Sequence, residues 1–385
     1  MRKICFFTGT RAEYGILSDL MHKVSQDPAL QLQIVATNMH LSPEFGLTYK
    51  EIEADGFTID KKVEMLLSSD SPVGTVKSMG LGTIGFADAL QDLQPDLIVI
   101  LGDRYEMLAV AQAALIFQIP VAHLHGGEIT EGAYDDAIRH AITKLSHLHF
   151  TSTEEYRRNV IQMGEEPGRV FNVGSLGVDN IVRQPAMPLD ELEKSLGVEL
   201  GERYVVVTFH PVTTQPGESA GQVDNLIQAL KEIVDEYKIL ITMPNSDADS
   251  RAIVDAWHRF AAERATRVFT FKSLGRRRFY SAVKHSSAMI GNSSSGLLEA
   301  PAFKVPTLNI GSRQQGRARG VSVVDCGTSV EEISEGLRRV LSPEMAETTR
   351  TADNPYHKPD TLTTLFDTLA NYPLEGLTIK HFHKI

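Results

Sequence analysis

The chain reads as an α/β protein made of two Rossmann-like lobes with parallel sheets, and three observations lead there. Strand-like apolar runs alternate with helix-like patterns over most of the 385 residues, the signature of β-α-β units. Central runs such as Leu97-Ile-Val-Ile-Leu101 are continuously apolar, as expected of strands buried on both faces of a helix-covered parallel sheet. The alternation breaks at Arg183-Gln-Pro-Ala-Met-Pro-Leu189, where two prolines mark a linker, and then restarts.

In the first lobe, strands are expected at residues 4–7, 32–36, 97–101, 120–123 and 148–151, with helices at 13–26, 75–92, 105–117 and 135–145. In the second, strands are expected at 204–209, 239–242, 268–271, 288–290 and 307–310, with helices at 221–236, 249–263, 275–285, 295–300 and 330–341. The lobes are placed at residues 1–183 and 190–360, with a ligand cleft expected between them. A helix at 361–371 opens the segment 361–385, which is expected to cross back onto the first lobe.

Composition narrows the function classes. A net charge of −11 argues against a general nucleic-acid or anionic-membrane surface, while leaving local phosphate binding open. Cys5 and Cys326 are the only cysteines and no zinc-type spacing appears, which fits a reducing cytoplasm. Cys5 lies in a strand-like apolar run and is expected in the core rather than as a nucleophile. That run, Ile4-Cys-Phe-Phe7, is too short for a signal peptide or membrane span.

Polar residues of catalytic type cluster where strands end, the place where open α/β sheets bind ligands. The stretch His123 to His140 holds three His, two Glu, two Asp and one Arg, among them His125, Glu128, Asp135 and Arg139. Asp135 and Arg139 are four apart, as are Asp136 and His140, so each pair shares a helix face; that spacing serves a surface ion pair as readily as a site. Asp103 in Leu101-Gly-Asp-Arg-Tyr-Glu106 either caps the next helix or does acid/base work. Thr8-Gly-Thr-Arg-Ala-Glu13 leads into a helix, where a turn carrying Arg11 can bind an anion. In the second lobe His210 ends a strand, and Asn245 and Asp247 follow another. Ile290-Gly-Asn-Ser-Ser-Ser-Gly-Leu-Leu-Glu299 is the strongest phosphate candidate, with Ser293 and Ser294 opening a helix and Glu299 near its end. Gly311-Ser-Arg-Gln-Gln-Gly-Arg-Ala-Arg319 adds three arginines among glycines, Arg313 first, in a loop suited to an anion. Neither GxGxxG nor GxxxxGK[ST] is present, so the usual nucleotide fingerprints are missing.

In their order and joint presence these motifs resemble the UDP-N-acetylglucosamine 2-epimerase family, over roughly residues 1–370. The Gly-Asp-Arg and His-Gly-Gly-Glu forms are similar to its hydrolysing branch, which feeds sialic-acid-type sugar synthesis. The resemblance implies a GT-B fold and a homo-oligomer, dimer or tetramer. It also implies a reaction with no metal and no cofactor. Loss of the sugar C2 proton and of the nucleoside diphosphate gives a glycal, and water then adds with inverted configuration at C2. Asp103, Asp135, Arg139 and His210 fall on catalytic positions. Arg11, Asn245, Ser293, Ser294, Glu299 and Arg313 fall on nucleotide or diphosphate contacts. Relatives carry Glu where this chain has His125, so either Glu128 or His125 takes that role. The expected proton carriers are Asp103 and Asp135, with His210 and the Ser293–Ser294 turn stabilising the departing diphosphate. The expected substrate is UDP-N-acetylglucosamine, yielding N-acetylmannosamine and UDP. The alternatives are a UDP- or GDP-linked 2,4-diacetamido-2,4,6-trideoxyglucose, a reversible epimerase, a GT-B glycosyltransferase, or a catalytically silent sugar-nucleotide-binding protein.

Overall fold

The structure, a computed structural model, describes every residue except 68–70, 132–133, 213–214, 216, 245–249 and 385. Two compact units emerge. The first comprises residues 1–128, 135–180 and 358–385, and the second 129–134 and 181–357. The C-terminal segment lies with the first unit, the lobe onto which it was expected to cross back; the boundaries differ in that the break falls after residue 180 and the short stretch 129–134 belongs to the second unit.

The first unit runs β1 (Arg2–Thr8), α1 (Arg11–Ser25), β2 (Leu30–Thr37), α2 (Tyr49–Ala54), β3 (Lys61–Val63), α3 (Pro72–Leu93), β4 (Leu97–Leu101) and α4 (Tyr105–Phe117). It continues with β5 (Val121–Leu124), α5 (Asp135–Leu145), β6 (Leu148–Thr151), α6 (Glu154–Gln162), β7 (Val170–Asn172) and α7 (Leu176–Arg183). The second unit contains α8 (Leu189–Leu196), β8 (Tyr204–Thr208), α9 (Ser219–Lys231), β9 (Lys238–Thr242), α10 (Ser250–Glu263), β10 (Val268–Phe271) and α11 (Gly275–His285). There follow β11 (Ala288–Gly291), α12 (Ser295–Leu298), β12 (Thr307–Ile310), β13 (Val323–Cys326), α13 (Val330–Val340) and α14 (Pro343–Thr351). The chain then re-enters the first unit as α15 (Thr361–Asn371).

Both sheets are parallel, ordered β3-β2-β1-β4-β5-β6-β7 and β10-β9-β8-β11-β12-β13. The fold is of the two-sheet α/β, GT-B type. The central strands show why continuous apolar runs were needed. In β4, Leu97, Val99 and Leu101 join one core cluster while Ile98 and Ile100 join another on the opposite face. In β8, Val205 and Val207 face one cluster, Tyr204 and Val206 the other. A period of two with both faces covered leaves no polar position. Cys5 is a core residue beside Phe7 and Ile98.

The C-terminal segment completes the first unit's core. Leu365, Leu369 and Leu377 are buried with Leu17, Leu20 and Val24 of α1. The Arg2 guanidinium donates to the carbonyls of Leu369 at 2.7 Å and Tyr372 at 2.9 Å, satisfying groups that the end of α15 leaves open. Beyond the helix, Lys380 Nζ donates to the carbonyls of Lys144 (2.8 Å) and Ser146 (2.6 Å) at the end of α5. Leu369→Ala is expected to cost about 2–5 kcal/mol, read as a lowered urea midpoint; a change under about 0.5 kcal/mol would mean that α15 contributes no core.

Candidate active site

Each sheet has a topological switch point, where neighbouring strands send their following helices to opposite sides and a crevice opens at the carboxyl ends. In the first unit it lies between β1 and β4, and in the second between β8 and β11. The residues picked out by sequence flank these two points. Arg11 and Asp103 follow β1 and β4, with His125 and Glu128 after the adjacent β5; His210 and Ser293–Ser294 follow β8 and β11.

In the first unit the organising group is Arg139 on α5, 1 % exposed. Its Nη2 donates to Asp103. Its Nη1 donates to the Glu128 carbonyl at 2.7 Å and to Asp136 Oδ1 at 3.2 Å. Burial alone would lower the Arg139 pKa, but Asp103, Glu128 and Asp136 outweigh it and hold the group charged. The N-cap residue of α4 is Arg104, with no side-chain capping bond, and Asp103 is paired with Arg139. Asp136, three residues before Arg139 and 3.3 Å from His140 Nε2, is a member of the cluster that the spacing of four hid behind Asp135. Asp135 itself opens α5, half-buried, in the helical turn that favours a carboxylate.

His125 and Glu128 form one unit rather than alternatives. His125 Nδ1 lies 3.0 Å from Glu128 Oε1, and Ser152 Oγ donates to the same oxygen at 2.7 Å. With Nδ1 donating to the carboxylate, the lone pair sits on Nε2, which is buried and has no hydrogen-bond partner among the described residues. The backbone is strained to present this ring: His125 has φ of 65°, a left-handed conformation that costs a non-glycine residue about 1–3 kcal/mol. Gly127, two residues on, with φ of 76°, cannot carry a side chain, since a Cβ would stand 2.5 Å from the Tyr156 carbonyl.

In the turn after β1, Glu13 Oε2 accepts from the amides of Gly9 (2.7 Å) and Thr10 (3.0 Å), and Thr10 Oγ1 accepts from Glu13 N. This capping box takes up those three donors, and Arg11, 39 % exposed and 3.7 Å from Glu51, is the cation of the turn. Beneath it Glu106 is fully buried and held by Arg104 Nε at 2.6 Å. Gly9 is required there because a Cβ would collide with the Glu106 carboxylate. Burial, then the charge of Glu106, pushes the Glu13 carboxyl up to about 8.

In the second unit Asn292 is the hub, and sequence reasoning passed over it. Its side chain accepts from His210 N at 2.7 Å and donates to His210 O at 2.8 Å. Its own carbonyl accepts from Arg313 Nη1 at 3.1 Å and Gln314 Nε2 at 2.9 Å. Burial, helped by the nearby Arg313 charge, lowers His210 to about 3, so the ring is a neutral imidazole near neutral pH. Ser293 and Ser294 are half-buried, and Ser293 Oγ accepts from Ser295 N at 3.3 Å. α12 is one turn of four residues with Glu299 as its C-cap, too short for the helix dipole invoked from sequence. The polar groups that this turn presents are the serine hydroxyls and Arg313. Of the loop's other arginines, Arg319 is paired with Asp325, and Arg317 donates to Thr130 at 3.2 Å. Asn245 and Asp247 lie outside the described residues.

The raised Glu13 carboxyl has a thermodynamic signature. Between the ordinary glutamate value of 4.5 and about 8, the folded chain keeps a proton that the unfolded chain releases, so this group lowers stability as pH climbs through that window. Glu13→Gln is expected to flatten the fall, read from urea midpoints at about pH 5.5 and about pH 8.5; an unchanged slope would remove Glu13 as its source.

Comparison with known proteins completes the picture. The chain is 42% identical over 346 residues, 90% of its length and 89% of the other's, to a Campylobacter jejuni protein named GDP/UDP-N,N'-diacetylbacillosamine 2-epimerase (hydrolyzing). It is 35% identical over 342 residues, 89% of each chain, to a Legionella pneumophila protein named UDP-N,N'-diacetylbacillosamine 2-epimerase (hydrolyzing). Its fold matches the crystal structure of UDP-GlcNAc 2-epimerase from Neisseria meningitidis bound to UDP-GlcNAc, with a TM-score of 0.80 at 17% identity over 96% of this chain and 99% of that one. Residues 22–370 match the family described as UDP-N-acetylglucosamine 2-epimerase. With that match spanning most of the sequence, the chain belongs to the UDP-N-acetylglucosamine 2-epimerase family.

Proposed function

We propose that the protein is a hydrolysing 2-epimerase whose substrate is a UDP- or GDP-linked 2,4-diacetamido-2,4,6-trideoxyglucose. The observation that carries this reading is the 42% identity to the Campylobacter protein of that name, with the Legionella relative in agreement. It moves the preference away from UDP-N-acetylglucosamine, the substrate expected from sequence.

The first unit supplies a suitable acid/base set. In the elimination step the C2–H and C1–O bonds break and a C1–C2 double bond forms. The proton passes to a base, and the electron pair leaves on the diphosphate. Water then adds its hydroxyl to C1, and C2 receives a proton on the opposite face, releasing the sugar in the manno configuration. Two proton carriers on different faces are required. We assign one role to His125 through Nε2, oriented by Glu128. The other falls to the carboxylates Asp103 and Asp135, Asp103 being ion-paired with Arg139. In the second unit, Arg313, the hydroxyls of Ser293 and Ser294, and His210 as a neutral donor are assigned to the diphosphate, with Glu299 assigned to the ribose hydroxyls.

Proton NMR in deuterated water tests the reading. Incubation with the UDP- and GDP-linked diacetamido sugars is expected to release the free manno sugar with deuterium at C2, together with the nucleoside diphosphate. UDP-N-acetylglucosamine is expected to turn over more slowly. Product without deuterium at C2, or ligand bound and unchanged, would overturn it. Asp135→Asn and His125→Gln are each expected to lower kcat by about 10²–10⁴-fold; full turnover by either would remove that residue from proton transfer.

A further inference from the structure

His123 lies on β5, fully buried, with no part in the chemistry assigned above. Its ring touches all three segments that carry that chemistry. Nε2 is 2.7 Å from the carbonyl of Gly102, the residue before Asp103. Nδ1 is 3.2 Å from Thr143 Oγ1, one turn beyond Arg139 on α5. Gly126, in the turn between His125 and Glu128, comes so close that a Cβ there would stand 3.0 Å from Nδ1 and 2.9 Å from Thr143 Oγ1.

The partners decide the tautomer. A carbonyl only accepts, so Nε2 carries the hydrogen, and Nδ1 accepts from the Thr143 hydroxyl. Both ring nitrogens are thereby committed. Burial, reinforced by the neighbouring His149 and Arg139, lowers this imidazole to about 3 despite the Gly102 bond, so the ring does not exchange protons in the working range. Gly102 turns sharply there, with φ of 78°, and its amide donates to Leu124 O at 3.0 Å. Gly102, the residue before Asp103, is thus held through both its amide and its carbonyl, each by a residue of β5.

We infer that His123 is a positioning residue, which locks the Asp103 turn, the His125–Glu128 turn and α5 into one register without itself transferring a proton. The inference deepens the acid/base reading of this site and rests on it for its kinetic consequence. Placement errors near 1 Å typically cost about 100-fold in rate, so three coupled segments give the ring leverage over kcat.

The test uses His123→Leu, His123→Gln and Thr143→Val in the full chain. Glutamine places an amide N–H the same number of bonds from Cβ as Nε2, and leucine places none. His123→Leu is expected to lower kcat about 10–100-fold with KM within about twofold. His123→Gln is expected to restore most of the loss with an unaltered kcat–pH profile. Thr143→Val, removing one of the two ring bonds, is expected to fall between. Amide hydrogen exchange of residues 101–106 is expected to speed up in His123→Leu and not in His123→Gln, with the strands of the second unit unchanged in both. Unaltered exchange and kcat in His123→Leu would overturn the inference. So would a glutamine variant as inactive as the leucine one with native exchange, since that marks a proton-transfer role. If His123→Leu does not fold, the glutamine and Thr143→Val proteins decide. If the unaltered protein turns over none of the sugar nucleotides, the functional reading fails, and the exchange data alone decide whether His123 holds the turn.

Discussion

The first unit's site depends on a charge that cannot be left alone. The Arg139 guanidinium is almost entirely removed from water, and an unpaired buried charge costs several kcal/mol. Its partners come from three places: the turn after β4, the turn after β5, and α5 itself. Moving any one segment strips a partner from the ion, so the segments are held at one geometry. Asp103, near a quarter exposed, is the partner of that ion from the β4 turn.

The imidazoles divide by what their second nitrogen meets. His123 has both nitrogens engaged inside the protein. In His40, Nε2 meets Thr8 and Nδ1 meets Thr48, and burial lowers it to about 4. His125 has one nitrogen on a carboxylate and one without a partner among the described residues. His149 shares the half-engaged pattern, with Nε2 on Glu165 and Nδ1 without a partner among the described residues. The left-handed backbone at His125 sets that residue apart, since strain is retained where a side chain must point in a particular direction.

Much of the architecture was legible because central strands announce themselves. β4 and β8 are apolar at every position or nearly so, and the pattern admits few alternatives. β3, β7 and β13 were passed over, being edge strands of three or four residues with polar members such as Lys61 and Asn172; so short a stretch shows no period. Several short helices, α6 and α14 among them, were missed for the same reason. At the site, Asp103 and Arg139 could be found because ionisable residues follow strand ends. Asp136 was paired from sequence with His140, a contact present at 3.3 Å; its bond to Arg139 lay hidden because a spacing of three competes with one of four on the same helix face. Asn292 and His123 act through backbone groups far away in sequence, for example Asn292 on His210, and no local pattern encodes such a bond.

The first unit is discontinuous, and this has a consequence for how the chain comes into being. Its core lacks Leu365, Leu369 and Leu377 until residues 181–357, which belong to the second unit, have been synthesised. At about 5–20 residues per second, that interval lasts roughly 10–35 s. During it, α1 waits with its apolar face uncovered, while the intervening segment has already emerged. The middle of the sequence can therefore finish folding before the beginning does, and the nascent N-terminal half is the stretch with the greatest need of chaperone protection.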